Sequence, residues 1–224
     1  VEVALCLKRH FRPSGGADLD YLIIGGYGKG TAVRPARTVD LIYDLPIECR
    51  RADSASDSGP LILLDVAAIL GERFSAVEPG KGWLMVVPAG TNVAVRVIPA
   101  FSCAGGGYLT VDSGGNPGNG HWRQINPMAE VAALRAADDG SARKATHLIL
   151  MMKAWRRQRS VPIGAFPIEL LVTEFVAVWN YHRRSLLFYD WMIRDFFFWL
   201  RHQMGRSMMI PGTVDRLAIG ADWI

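Results

Sequence analysis

Apolar residues along this chain fall into two textures. Up to residue 125 they come in short runs, often β-branched and separated by glycine or proline turns. After Asn126-Pro127 they recur at helical spacing in long stretches rich in Leu, Met, Trp and Phe. The first pattern predicts a helix over 2–11, ending before Pro13-Ser14-Gly15-Gly16. A short buried strand over 21–24 runs into Gly25-Gly26, and a second strand over 38–45 is closed by Pro46. Residues 50–60 read as a polar loop and 61–74 as a helix. Strands follow over 83–87, 93–98 and 108–111, the first two forming a hairpin through 88–92, and 113–120 is a Gly/Asn loop. The second pattern predicts helices over 127–138, 141–157, 165–181 and 186–203. Strands followed by helices imply an α+β fold, with a mixed-sheet lobe over 1–125 and a helical lobe over 126–224. Val1 is not an initiator, and Ala221-Asp222-Trp223-Ile224 reads as the start of another helix, so the chain is expected to be truncated at its C-terminus.

Composition narrows the class without naming a function. The 224 residues are 50% apolar and 21% charged, which excludes disorder, collagen-like repeats and a disulfide-held miniprotein. A net charge of +4 is too small to imply nucleic acid as a partner. Cys6, Cys49 and Cys103 lie far apart, which suits reduced thiols in a cytoplasmic protein and argues against zinc. The five histidines show no metal-ligand spacing. No stretch of about 18 apolar residues is free of charge, so no membrane partner is expected, and Val1–Ala4 lacks the basic start of a signal peptide.

The informative stretch runs from Ile24 through Gly25-Gly26-Tyr27-Gly28-Lys29-Gly30-Thr31 to Thr38-Val39-Asp40-Leu41. A strand ends at two glycines, and small residues there let a phosphate approach backbone N–H groups. The next strand carries an acid, Asp40. A glycine-rich turn alone is a weak signal; the turn, the strand acid and a second strand form a specific combination.

That combination resembles the nucleotidyltransferases of the DNA-polymerase-β superfamily, and more closely the bacterial cGAS/DncV-like (CD-NTase) members of antiphage signalling. Their pattern is G-S-x-x-x-G-T, then D-h-D on the following strand, then a third carboxylate just before h-h-P-A. The matches here are Gly25…Gly30-Thr31, Val39-Asp40-Leu41 and Val95-Arg96-Val97-Ile98-Pro99-Ala100-Phe101. Met152-Lys153-Ala154-Trp155 resembles the family's K-x-W helix, whose lysine reaches the triphosphate. Ala165-Phe166-Pro167-Ile168-Glu169 resembles its S-F-H-L-E helix start, and Tyr189–Phe197 with Ile210-Pro211-Gly212-Thr213 resembles its late helix and loop. The resemblance covers nearly the whole chain. It implies a polymerase-β-like nucleotidyltransferase fold and a nucleoside triphosphate, ATP first, as ligand. Gly25, Gly26, Thr31, Arg96 and Lys153 are the implied nucleotide-binding residues.

The departures bear on mechanism. Active relatives use three carboxylates and two Mg²⁺ ions to join a hydroxyl to the α-phosphate of a triphosphate. Here Thr38 and Arg96 stand at two of the three carboxylate positions, Asp40 alone remains as catalytic and metal residue, and Gly26 replaces the phosphate-binding serine. One carboxylate beside a guanidinium does not hold two divalent ions. Asp44 shares the strand parity of Asp40 but lies about 7 Å along the strand, and nothing in the sequence fixes Asp112 near it. The expectation is a vestigial site: nucleotide binding with catalysis lost or strongly reduced. The alternative is an active enzyme with unusual metal ligation that makes a cyclic di- or oligonucleotide. A protein partner or an active homologue is a further expectation.

Other residues carry blander readings. Arg96 has two roles open to it, an internal ion pair with Asp40 and a direct phosphate contact. Lys153, Arg156 and Arg157 share a helix face, with Arg159 in a loop, and Lys29 and Arg34 read as surface charges. Asp190 and Arg194 are expected to pair at i and i+4. The cluster Phe188, Tyr189, Trp191 and Phe196–Trp199 reads as a buried helix, and Glu169 as a capping or buried structural acid.

Overall fold

The computed structural model describes residues 1–13, 20–50, 58–112, 121–184 and 189–220. The chain divides into two compact units, Val1–Gly28 with Pro35–Asn126, and Lys29–Arg34 with Pro127–Ile224.

In the first unit, α1 (Glu2–Phe11) buries Val3, Ala4 and Leu7 on one face. Its ends suit the helix dipole, with Glu2 in the first turn and Lys8, Arg9 and His10 in the last. The sheet has seven strands: β1 (Tyr21–Ile24), β2 (Thr38–Asp44), β3 (Val77–Pro79), β4 (Leu84–Val86), β5 (Ala94–Ser102), β6 (Tyr108–Asp112) and β7 (His121–Ile125). The order β1-β2-β5-β4-β3 is mixed, because β2 pairs parallel to β5 while β1, β3 and β4 pair antiparallel to their neighbours. A short helical turn, α2 (Gly25–Gly28), follows β1, and α3 (Ser58–Gly71) lies between β2 and β3. Alternation along β2 and β5 sends Leu41, Tyr43, Val97 and Phe101 into a core shared with α1 and α3.

The expected strand over 93–98 runs on through Pro99 to Ser102. A proline lacks the N–H of a ladder residue, yet Pro99 falls where β5 changes antiparallel neighbour. Residues 95–97 pair with β4 and residues 100–102 with β6, so no ladder bond is required of Pro99 on that side. The three-residue β3 and the polar β7 carry too little periodicity to be read from sequence. The expected loop at 113–120, most of that at 50–60, Phe188 and the terminal 221–224 lie outside the described residues.

The second unit contains α4 (Pro127–Gly140), α5 (Lys144–Arg159), α6 (Ala165–Val178), α7 (Tyr189–Leu200) and the hairpin β8 (Ser207–Met209)–β9 (Arg216–Ala218). Leu148, Ile149, Met152, Leu171, Phe175, Met192 and Phe196 form its core. Arg159 closes α5 rather than lying in a loop. α7 is not buried all round: Phe196 is enclosed, whereas Phe198 stays 63% exposed. Arg194 bonds its neighbour Asp195 at 2.9 Å instead of reaching back to Asp190, and that carboxylate also accepts from the Trp179 indole at 3.0 Å. Lys144, 1% exposed, spends its ammonium on the carbonyls of Ser141, His182 and Arg184. No described helix is long and apolar enough to cross a membrane.

Candidate functional site

The sheet face opposite the α1–α3 core carries the residues singled out by the sequence. Thr38, Asp40 and Arg96 alternate with the core residues of β2 and β5, and the parallel register sets Asp40 directly beside Arg96. Arg96 Nη1 lies 3.2 Å from Asp40 Oδ1. The Arg96 guanidinium also stacks on Trp83, 5.0 Å from the ring centroid. Trp83 gave no sequence signal; it reaches Arg96 because β4, which begins at the next residue, pairs Met85 with Arg96. The glycine turn closes the other side. Gly25 has a φ of +63°, and a Cβ there would sit 2.5 Å from Asp40 Oδ2. Only glycine satisfies both conditions. Gly26 occupies the same short turn. The structure thus brings Gly25, Asp40 and Arg96 together and adds Trp83.

Asp44 and Asp112 are committed elsewhere. Asp44 Oδ1 accepts the Ser102 N–H at 2.9 Å, and Asp112 lies 3.6 Å from the Arg123 guanidinium. The donor set at Asp40 therefore does not fit a pair of Mg²⁺ ions: one carboxylate, already facing a guanidinium, with a threonine as its nearest strand companion. Among the described residues no group of three or more His, Cys, Asp or Glu side chains could hold a metal ion.

Thr31 and Lys153 lie in the second unit, in a buried network built on Glu169. Lys153 Nζ donates to Thr31 Oγ1 at 2.8 Å, to the Thr31 carbonyl at 3.2 Å and to Glu169 Oε1. Thr31 Oγ1 in turn donates to Glu169 Oε1 at 2.7 Å. Lys29, expected at the surface, is the largest departure. Its side chain is 5% exposed and spans Glu169 Oε2 at 2.5 Å and Glu130 Oε2 at 2.6 Å. Its ammonium also packs on Phe166. A lysine beside glycines reads as solvated because nothing nearby in sequence is acidic. Its partners come 101 and 140 positions later, on α4 and α6.

The network's charges shift as its geometry requires. Burial alone would raise the Glu169 pKa, but Lys29 and Lys153 outweigh it and hold the carboxyl below its ordinary 4.5. Burial opposes the Lys29 charge too, yet two carboxylates raise its pKa above 10.5. Lys153 moves the other way: burial lowers it, Glu169 offsets this only in part, and Lys29 and Arg156 add to the lowering. The two lysines differ because Lys29 faces two carboxylates and Lys153 shares one.

No protein-family model matches this sequence, and no curated relative does. Solved structures do resemble it. Elizabethkingia meningoseptica CdnE, a cyclic dinucleotide synthase solved with GTP and Apcpp, superposes with a TM-score of 0.67 at 14% identity, over 93% of this chain and 78% of that one. Escherichia coli MS115-1 CdnC, in a HORMA-deltaN complex, gives 0.65 at 13% identity, over 90% of this chain and 62% of its own. Vibrio cholerae DncV, a cyclic AMP-GMP synthase with a linear pppA(3′,5′)pG intermediate, gives 0.65 at 11% identity, over 90% and 56%. The chain thus spans less than two thirds of CdnC and of DncV. At these identities the likeness establishes the fold: an α+β, polymerase-β-like nucleotidyltransferase fold of the cGAS/DncV kind.

Proposed function

We propose that this chain binds a nucleoside triphosphate, ATP first, on a nucleotidyltransferase fold whose metal-dependent catalysis is lost or strongly reduced. The observation that carries the reading is the Asp40–Arg96 ion pair, which puts a cation beside the carboxylate that remains at the expected metal positions. A guanidinium offers a planar set of N–H donors matched to phosphate oxygens. Trp83 limits the orientations of that group and lowers the entropy lost on binding. The similar CdnE, CdnC and DncV structures were solved with nucleotides, which supports the ligand class. A cytoplasmic place in cyclic-nucleotide antiviral signalling, as a sensing partner of an active homologue, follows from the same likeness as part of this proposal.

Incubating the protein with labelled NTPs and Mg²⁺ or Mn²⁺, and resolving products by thin-layer chromatography, tests the loss of catalysis. The expected result is no product, and metal-dependent product would overturn it in favour of unusual metal ligation. Calorimetric titration with ATP in EDTA tests binding. The expectation is metal-independent affinity that Arg96→Ala weakens at least about tenfold, the scale of one charge-assisted hydrogen bond. No ATP binding at all would sink the reading.

A further inference from the structure

In the helical unit, the residue that the family pattern assigns to the triphosphate has no donor to spare. An ammonium has three N–H groups, and Lys153 directs its own at Glu169, the Thr31 hydroxyl and the Thr31 carbonyl. One turn further along α5, Arg156 is in the opposite condition. Its Nε is fully buried without a hydrogen-bond partner, and among the described residues its guanidinium has no carboxylate partner. Lys29 and Lys153 are balanced by Glu130 and Glu169, and neither carboxylate is within ion-pair distance of Arg156. It stands close enough to Lys153 to add to the lowering of that residue's pKa.

Neighbouring groups do not explain Arg156. Arg157 uses its guanidinium on the Val33 and Arg34 carbonyls. The carbonyls that end α5 are served by the Ser160 and Val161 N–H groups. A half-buried cation set against another cation, with an unbonded N–H, is an unrelieved cost in the protein alone. An anion relieves both parts of it.

We propose that Arg156 is the anion-binding residue of the helical unit and that its ligand is a polyphosphate chain, carried by a nucleotide or free, with Lys153 as its structural neighbour. The nucleotide form of this site rests on the function proposed above. Guanidinium geometry suits two oxygens of one phosphate.

The test is thermal melting and calorimetry of the whole 224-residue chain in EDTA, with inorganic tripolyphosphate and ATP as separate probes. Arg156→Gln, without ligand, is expected to melt at or above the parent temperature, because it removes a buried, unbonded N–H and a cation one helical turn from Lys153. The same variant should bind tripolyphosphate about ten- to a hundredfold more weakly, and Arg156→Lys should fall between the two. A lower melting temperature for Arg156→Gln overturns the proposal whatever binding does, since it marks a structural group. Unchanged affinity in that variant overturns it, as does a parent protein that ignores tripolyphosphate. The two proposals fail separately. ATP binding that needs Arg96 but not Arg156 removes this one alone. Tripolyphosphate binding through Arg156 with no affinity for ATP removes the nucleotide reading and leaves a free-polyphosphate site.

Discussion

Asp40 and Glu169 are both carboxylates facing basic side chains, yet their surroundings give them different work. The Arg96 and Asp40 side chains are 39% and 25% exposed, while Lys29, Lys153 and Glu169 are at 5%, 9% and 8%. Water screens the first pair, so it adds little to stability and remains open to exchange partners with a ligand. The second is dry, so every member depends on the others. Ion pairing alone does not mark a functional site. Exposure separates the pair that can bind from the network that holds the fold.

The sharpest way to break this contrast is Glu169→Ala. It leaves Lys29 with Glu130 alone and Lys153 with no carboxylate, and should cost about 3–5 kcal/mol, read from urea unfolding. A loss below about 1 kcal/mol would put the network on the same footing as a surface pair.

Acid should produce the next largest effect. Because the folded state holds the Glu169 pKa below 4.5, its stabilisation is complete above 4.5 and is lost as pH falls through the folded value. The melting temperature should therefore fall in that acid window, and Glu169→Gln should flatten the dependence. On the alkaline side the lysines oppose each other. Lys29, raised, loses its contribution above 10.5 as pH climbs through its folded pKa. Lys153, lowered, costs stability while charged, and that cost fades between its folded pKa and 10.5. Parent and Lys29→Met melting temperatures should therefore converge as pH climbs above 10.5, where the parent loses the Lys29 contribution.

On the sheet face, Thr38→Asp combined with Arg96→Glu should create Mn²⁺ affinity that calorimetry detects, since it sets two new carboxylates beside Asp40. No binding would mean that the turn and strands no longer hold a metal geometry. Arg96→Ala alone should cost about 1 kcal/mol or less after solvent screening. Arg194→Ala, which removes a pair 66% exposed on the arginine side, should stay within about 0.5 kcal/mol. A larger loss in either would move that pair toward the buried class.

Much of the fold was legible in the chain because one period governs each element. The helix over 2–11, the strand over 21–24 and the order of four late helices follow from apolar spacing. The errors share a cause. The strand through Pro99 and the half-exposed α7 depend on which neighbour lies alongside, and a local pattern does not contain that. Asp40 and Arg96 were legible together because alternation and a family pattern both point at them. Trp83 and Glu130 were not: one is a lone aromatic before a short strand, the other an ordinary first-turn acid of a helix.

By itself the sequence determined the α+β order of elements, the glycine turn and the scarcity of carboxylates on β2 and β5, since these depend on residue type and spacing alone. The tertiary structure decided what each charge does. It buried Lys29 between two acids, saturated Lys153, left Arg156 with no carboxylate among the described residues and kept the Asp40–Arg96 side chains partly exposed. Those outcomes depend on distance and burial between residues far apart in the chain, and Coulomb energy follows distance and dielectric, not sequence separation.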